Sequence, residues 1–253
     1  MYYYSSKRKR TKKRRILFLI FLLVLILICG VGLSPIIKIK AIEISGNKDV
    51  SAEKIRNSLD YKNIFLLSNS KIKNDLLKKF PQILDLEIHK NIVKRTLKLI
   101  IKEREGIGIV CKASPAFAEA TAGKCFYIDS EGVIFKESLL TSGFIILLIN
   151  DFSNRQYNLG DKIFDKNLIE SLLKIKDKLA NELDILLANI DIMSYPVKDI
   201  RVTTYETWKV LFSSERNIDD QILELKTALK EKIKDRTGLE YIDLRIENRV
   251  YYK

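Results

Sequence analysis

The sequence predicts an α+β chain with a single N-terminal transmembrane helix, a β-α-α-β-β domain and then a mixed β domain with two or more amphipathic helices. Three observations predict this. Ile16 to Leu33 is eighteen residues without a charge. Residues 36–105 then alternate strand and helix periodicities in the order strand, helix, helix, strand, strand. From residue 106 onward short strand-like runs dominate, interrupted by two long stripes of helical spacing. The expected division is a basic cytoplasmic tail (1–15), a transmembrane helix (16–34), a first domain (36–105) and a β domain (106–253).

Eighteen residues at about 1.5 Å each give roughly 27 Å of helix, close to the ~30 Å hydrocarbon core. Eight of the nine residues from Lys7 to Arg15 are basic. Cations stay on the cytoplasmic side, so the tail is expected inside and residues 34–253 outside. A cleaved signal peptide is the alternative, but the run is long and Ser34-Pro35 follows it without a small-x-small site. The net charge of +13 is mostly this block, which leaves +5 for the rest of the chain. Such a block also fits anionic lipid headgroups. A nucleic-acid reading is the weaker one for nine residues abutting an apolar run.

In the first domain, Ile37, Ile39, Ile42 and Ile44 mark a strand with a phase slip near Ala41. Gly46-Asn47 is a turn signal, and Ser51 caps a short helix with Ile55 and Leu59 on one face. Asn63 to Leu67 is an apolar link. Ile72, Leu76 and Phe80 form the stripe of a second helix, which Pro81 stops. Leu84, Leu86 and Ile88, then Leu97, Leu99 and Ile101, are the inward positions of two strands. Two one-sided helices must cover one face of this sheet. The opposite face carries Lys38, Lys40, Asp85, Glu87, His89, Lys98 and Lys102. His89 reads as a solvated strand residue rather than a ligand or base.

Glu103 to Gly106 marks the boundary. IGIVC restarts a strand, and Lys112 to Lys124 is an Ala-rich loop or insertion. Strands flank the turn Asp129-Ser130-Glu131-Gly132. Cys111 and Cys125 would lie at adjacent strand ends, so the choice is between a disulfide and two free buried thiols. Gly143 to Asn150 reads as a buried strand. Leu168, Leu172, Ile175, Leu179 and Leu183 form one helical stripe; Ile222, Leu225, Leu229 and Ile233 form another, capped by Asp219 and ended by Gly238. A hairpin turns near Tyr205, Glu206 and Thr207. Two short strands around Glu247-Asn248 close the sequence.

Catalytic motifs are not found. There is no GxGxxG or Walker loop, and one His excludes HExxH. Asp129 and Glu131 stand close, and a hairpin tip is their simplest home. No catalytic, cofactor or metal residue is expected, and no enzyme.

The residues IKAIEISGNKDVSAEKI, NIFLLSNSKIKNDLLKKFP and TLKLIIKERE, followed by YIDSEGVIF and YIDLR, carry a resemblance. The chain is similar to the FtsQ/DivIB-type bacterial cell-division proteins, with a POTRA domain and a β domain. The D-x-x-G hairpin and the YIDLR segment make this more specific than a POTRA domain alone. Lys94-Arg95 departs from the Pro that the family often places before the Thr-Leu pair.

The resemblance implies a non-catalytic bitopic scaffold of the septum. It would hold small division proteins of the FtsB/DivIC and FtsL type, and link them to septal cell-wall synthesis. It also implies a partner surface on the last strands, where a partner segment pairs with an open edge. Carried onto this sequence, that edge is Arg245, Ile246, Asn248, Val250, Tyr251 and Tyr252, with Arg245 as a partner for a carboxylate. The alternative for Tyr241, Leu244 and Tyr251 is the core of a terminal strand. Other division proteins would meet the POTRA domain. Competing readings are a POTRA-containing transport or secretion component and a membrane-anchored cell-wall enzyme.

Overall fold

The computed structural model describes residues 14, 16–24, 39–59, 68–113, 124–138 and 147–253. The chain divides into two compact units, Met1–Glu103 and Arg104–Lys253.

The fold class expected from the sequence is corrected at the N-terminus. Among the described residues no helix is long and apolar enough to cross a membrane. Of the expected span, residues 16–24 are described and are helical. Residues 25–34 of the expected span, Cys29 included, lie outside the described residues. So do the Asn63 to Leu67 link, residues 114–123 of the Ala-rich segment and residues 143–146 of the expected buried strand.

In the first unit, β1 (Ala41–Ser45), α1 (Ala52–Ser58), α2 (Asn69–Lys79), β2 (Ile83–Asn91) and β3 (Thr96–Glu103) follow in order. β3 is the central strand, parallel to β1 and antiparallel to β2. Ile55 of α1 and Ile72 and Leu76 of α2 bury against Leu86, Leu97, Leu99 and Ile101. Gly46 turns at φ 81°, where an added Cβ would strike the Ile101 carbonyl oxygen. The Glu103 carboxylate then accepts the N–H groups of Lys48, Asp49 and Val50 at 2.8, 2.8 and 3.0 Å. Ser51 stands at the cap position of α1 without a side-chain capping bond.

One inward position differs from the alternation read from sequence. The β2–β3 register shifts between Ile83 and Asp85. This irregularity turns Ile83 into the core and leaves Leu84 half-buried. A bulge inserts one residue and exchanges the faces on its N-terminal side.

In the second unit, β4 (Gly108–Lys112), β5 (Cys125–Ile128), β6 (Ile134–Ser138), β7 (Leu147–Asp151), α3 (Lys166–Leu183), β8 (Leu187–Ile192), β9 (Asp199–Thr204), β10 (Lys209–Ser213), α4 (Ile218–Glu231), β11 (Tyr241–Asp243) and β12 (Tyr251–Tyr252) build one mixed sheet. Its order is β12-β11-β10-β9-β8-β7-β4-β5-β6. The parallel pairs β7/β8 and β10/β11 are joined through α3 and α4, because a parallel connection must cross over the sheet. The main core packs Ile169, Leu172, Ile175 and Leu179 of α3 and Ile222 and Leu225 of α4 with Ile149, Ile190, Ile200, Val202, Val210, Phe212 and Ile242.

Two helix boundaries differ from the sequence reading. Asn217, not Asp219, caps α4 and accepts the Asp219 N–H at 2.8 Å. Asp219 instead pairs with Lys174 and Lys178 of α3, which hold its carboxyl below the usual range. α4 ends at Glu231, and Gly238 serves a later turn at φ 80°.

Candidate partner-binding edge

A nine-stranded open sheet has two edges, and here they differ. At the β6 edge, Ile134 donates its N–H to the Asp161 carbonyl at 3.1 Å, and its own carbonyl accepts from Gly160 at 2.7 Å. Val133 bridges Lys162. The 158–164 loop therefore occupies the start of that strand. β12 is outermost at the other end.

The sequence determines why β12 lies there. α4 carries the chain from β10 to β11, which adds in parallel. Leu244 follows and is fully buried, its N–H bonded to the Leu211 carbonyl at 2.9 Å. The chain reverses at Ile246 to Arg249, where the Arg249 N–H bonds the Ile246 carbonyl at 3.2 Å and Asn248 adopts φ 58°. Asn tolerates that left-handed conformation better than most side chains. β12 then pairs antiparallel with β11, Ile242 opposite Tyr252 and Asp243 opposite Tyr251.

Alternation in this ladder fixes which groups face outward. Tyr241 and Lys253 exchange both backbone bonds, each at 3.2 Å. The adjacent residue, Tyr252, must then turn its N–H and C=O away from β11. Cross-strand partners share a face, so Tyr252 lies on the Ile242 side and Tyr251 on the Asp243 side. Ile246, Tyr251 and Tyr252 are 52%, 47% and 50% exposed. Val250 packs partly against the main core.

Arg245 is engaged within its own unit. Nε and Nη2 bond the Asp243 carboxylate at 2.9 and 2.7 Å, and Nη1 reaches Asp199 at 3.0 Å. These bonds hold the Asp243 carboxyl below the usual carboxylate range and raise the guanidinium. Arg245 is thus a corner brace for the edge. Two further residues that the sequence reading did not single out shape the same corner. Arg216 donates to the Leu244 carbonyl and pairs with Glu224 at 2.6 Å, while Glu224 accepts the Asn248 N–H at 3.3 Å. Arg216 and Glu224 are eight positions apart on the chain, and only the α4 approach brings them to the β11–β12 loop.

The other singled-out residues lie elsewhere in the unit. Cys111 and Cys125 are directly paired across β4 and β5 and joined by a disulfide, both nearly buried. Asp129 is a buried turn carboxylate. It accepts Arg104 Nη1 at 2.5 Å and the Glu131 and Val133 N–H groups at 3.0 and 2.9 Å. Glu131 faces Lys166 instead, at 2.9 Å. In the first unit, His89 is exposed on β2 beside Glu87. Among the described residues no group of three or more His, Cys, Asp or Glu is placed to hold a metal ion.

Residues 37–104 match the family model for a POTRA domain, FtsQ-type. No curated protein matches the chain.

Proposed function

We propose that this chain, which carries an FtsQ-type POTRA domain over residues 37–104 and is an FtsQ/DivIB-type protein of bacterial cell division, works as a non-catalytic scaffold at the septum. Its β domain would hold small bitopic division proteins of the FtsB/DivIC and FtsL type and link them to septal cell-wall synthesis. The observation that carries this reading is the open β12 edge. A strand with outward N–H and C=O groups is a template for β-augmentation. Tyr251, Tyr252 and Ile246 supply stiff, half-exposed contact area beside it.

The location proposed with this reading is outside the cytoplasm, at the cell membrane of the division site. The Cys111–Cys125 disulfide supports it, because such bonds persist in oxidising compartments. The POTRA domain would meet other division proteins.

Depletion tests the reading. Cells losing the protein should grow as undivided filaments or chains, and normal division in a strain with no second copy would overturn it.

A further inference from the structure

We propose that the tip of the β2–β3 hairpin, residues 91–95, is a docking surface for an anionic phospholipid bilayer. The tip is a tight turn: the Arg95 N–H bonds the Ile92 carbonyl at 3.2 Å, and the Lys94 N–H bonds Asn91 Oδ1 at 2.9 Å. Arg95 closes it at φ 56°. Turn positions ordinarily hold Gly, Pro, Asn, Asp or Ser. Here they hold Ile92 and Val93, which are 51% and 93% exposed. Neither side chain belongs to the core of its unit.

The surroundings are basic. Between Ile88 and Lys98 the sequence has Lys90, Lys94, Arg95 and Lys98 and no acid. Lys40 joins them, because its N–H bonds the Arg95 carbonyl at 2.8 Å. In the sheet register the first acidic residue is Glu43, opposite Lys98, two rows behind the Ala41–Thr96 row. Two bare aliphatic side chains thus project from a collar of cations.

That combination matches a lipid surface. Aliphatic groups enter the boundary between headgroups and acyl chains, cations are drawn to anionic headgroups, and stable attachment takes both signals. A convex turn of five residues cannot supply the roughly 800 Å² per partner of a standard protein interface. A bilayer needs no complementary groove to accept it. The inference is independent of the β12 edge and does not rest on it.

The test uses the full chain with Val93→Trp, a position so exposed that the fold is indifferent to it. Trp208, the only native Trp, is buried and serves as an internal reference. Vesicles of phosphatidylcholine with phosphatidylglycerol, carrying brominated acyl chains, should shift the added emission to the blue and quench it. Vesicles of phosphatidylcholine alone should not. Lys94→Ala in the same background should weaken the response about fivefold, as expected for one cation at an anionic surface. Water-like, unquenched emission from the introduced indole on the anionic vesicles would overturn the proposal, as would equal quenching on neutral ones. A shift produced by an acidic protein without bromine quenching would assign the tip to a protein partner and overturn it too.

Discussion

Arg245 closes back on Asp243, two residues earlier in the chain, through bonds of 2.9 and 2.7 Å from Nε and Nη2. With Nη1 on Asp199 it fixes the direction in which the chain leaves β11. The brace sets the corner from which β12 is hung.

Its stability contribution depends on acid. The folded Asp243 carboxyl is held low by the Arg245 hydrogen bonds. The contribution is therefore fully present above the ordinary Asp value of about 3.9 and is lost as pH falls through the lowered folded value. Arg245 is more than a third exposed, so at neutral pH Arg245→Ala should cost no more than about 1 kcal/mol. Thermal melts against pH check this: the difference between wild type and Arg245→Ala should begin to shrink below about pH 4 and vanish only once pH has passed the lowered folded value.

Asp129 should be far less tolerant. It is nearly buried and accepts three hydrogen bonds, one from Arg104. Removing one partner of a buried pair leaves the other unsatisfied, a cost of about 3–5 kcal/mol. Urea unfolding of Asp129→Ala should show a loss of that order. The neighbouring Gly132→Ala should also be severe, because the residue turns at φ 82° and an added Cβ would strike the Phe164 carbonyl oxygen.

Gln221 is a polar core residue with every amide group used. Its Oε1 accepts the Ser213 N–H at 2.8 Å, and its Nε2 donates to the Ser213 carbonyl at 2.9 Å. Gln221→Leu should cost about 1–3 kcal/mol by orphaning those backbone groups. Denaturant midpoints would measure it.

The disulfide joins cysteines 14 positions apart. In the chain-entropy picture a loop of that size contributes about 3 kcal/mol. Paired Cys111→Ser and Cys125→Ser should lower the unfolding free energy by that order, and reductant should then have no further effect. The oxidised protein should be lighter than the reduced one by two hydrogens. Equal masses would mean free thiols.

Periodic features were legible in the sequence. The α3 stripe through Leu172, Ile175 and Leu179 needed only its own spacing, and the turn at Asp129 to Gly132 only its own residues. Features made by distant partners were not. The register shift at Ile83 depends on β3 opposite it. The Asp129 carboxylate meets Arg104 across 25 positions, and Arg216 meets the β11–β12 corner only through α4. The outermost place of β12 is likewise a property of nine strands together, invisible in Tyr251-Tyr252. The apolar run from Ile16 is a different case: composition alone suggested a span, whereas among the described residues no helix is long and apolar enough to cross a membrane.

The most direct measurement compares binding of an FtsB/DivIC-type partner to wild type and to Tyr252→Pro. The substitution deletes the outward N–H of β12 and leaves the Tyr241–Lys253 bonds on its inner side, a position where an edge strand tolerates proline. The expected result is an unchanged melting temperature with affinity at least about tenfold weaker, the equivalent of about 1.4 kcal/mol. Unaltered affinity with an intact fold would contradict the assignment of the partner edge to β12.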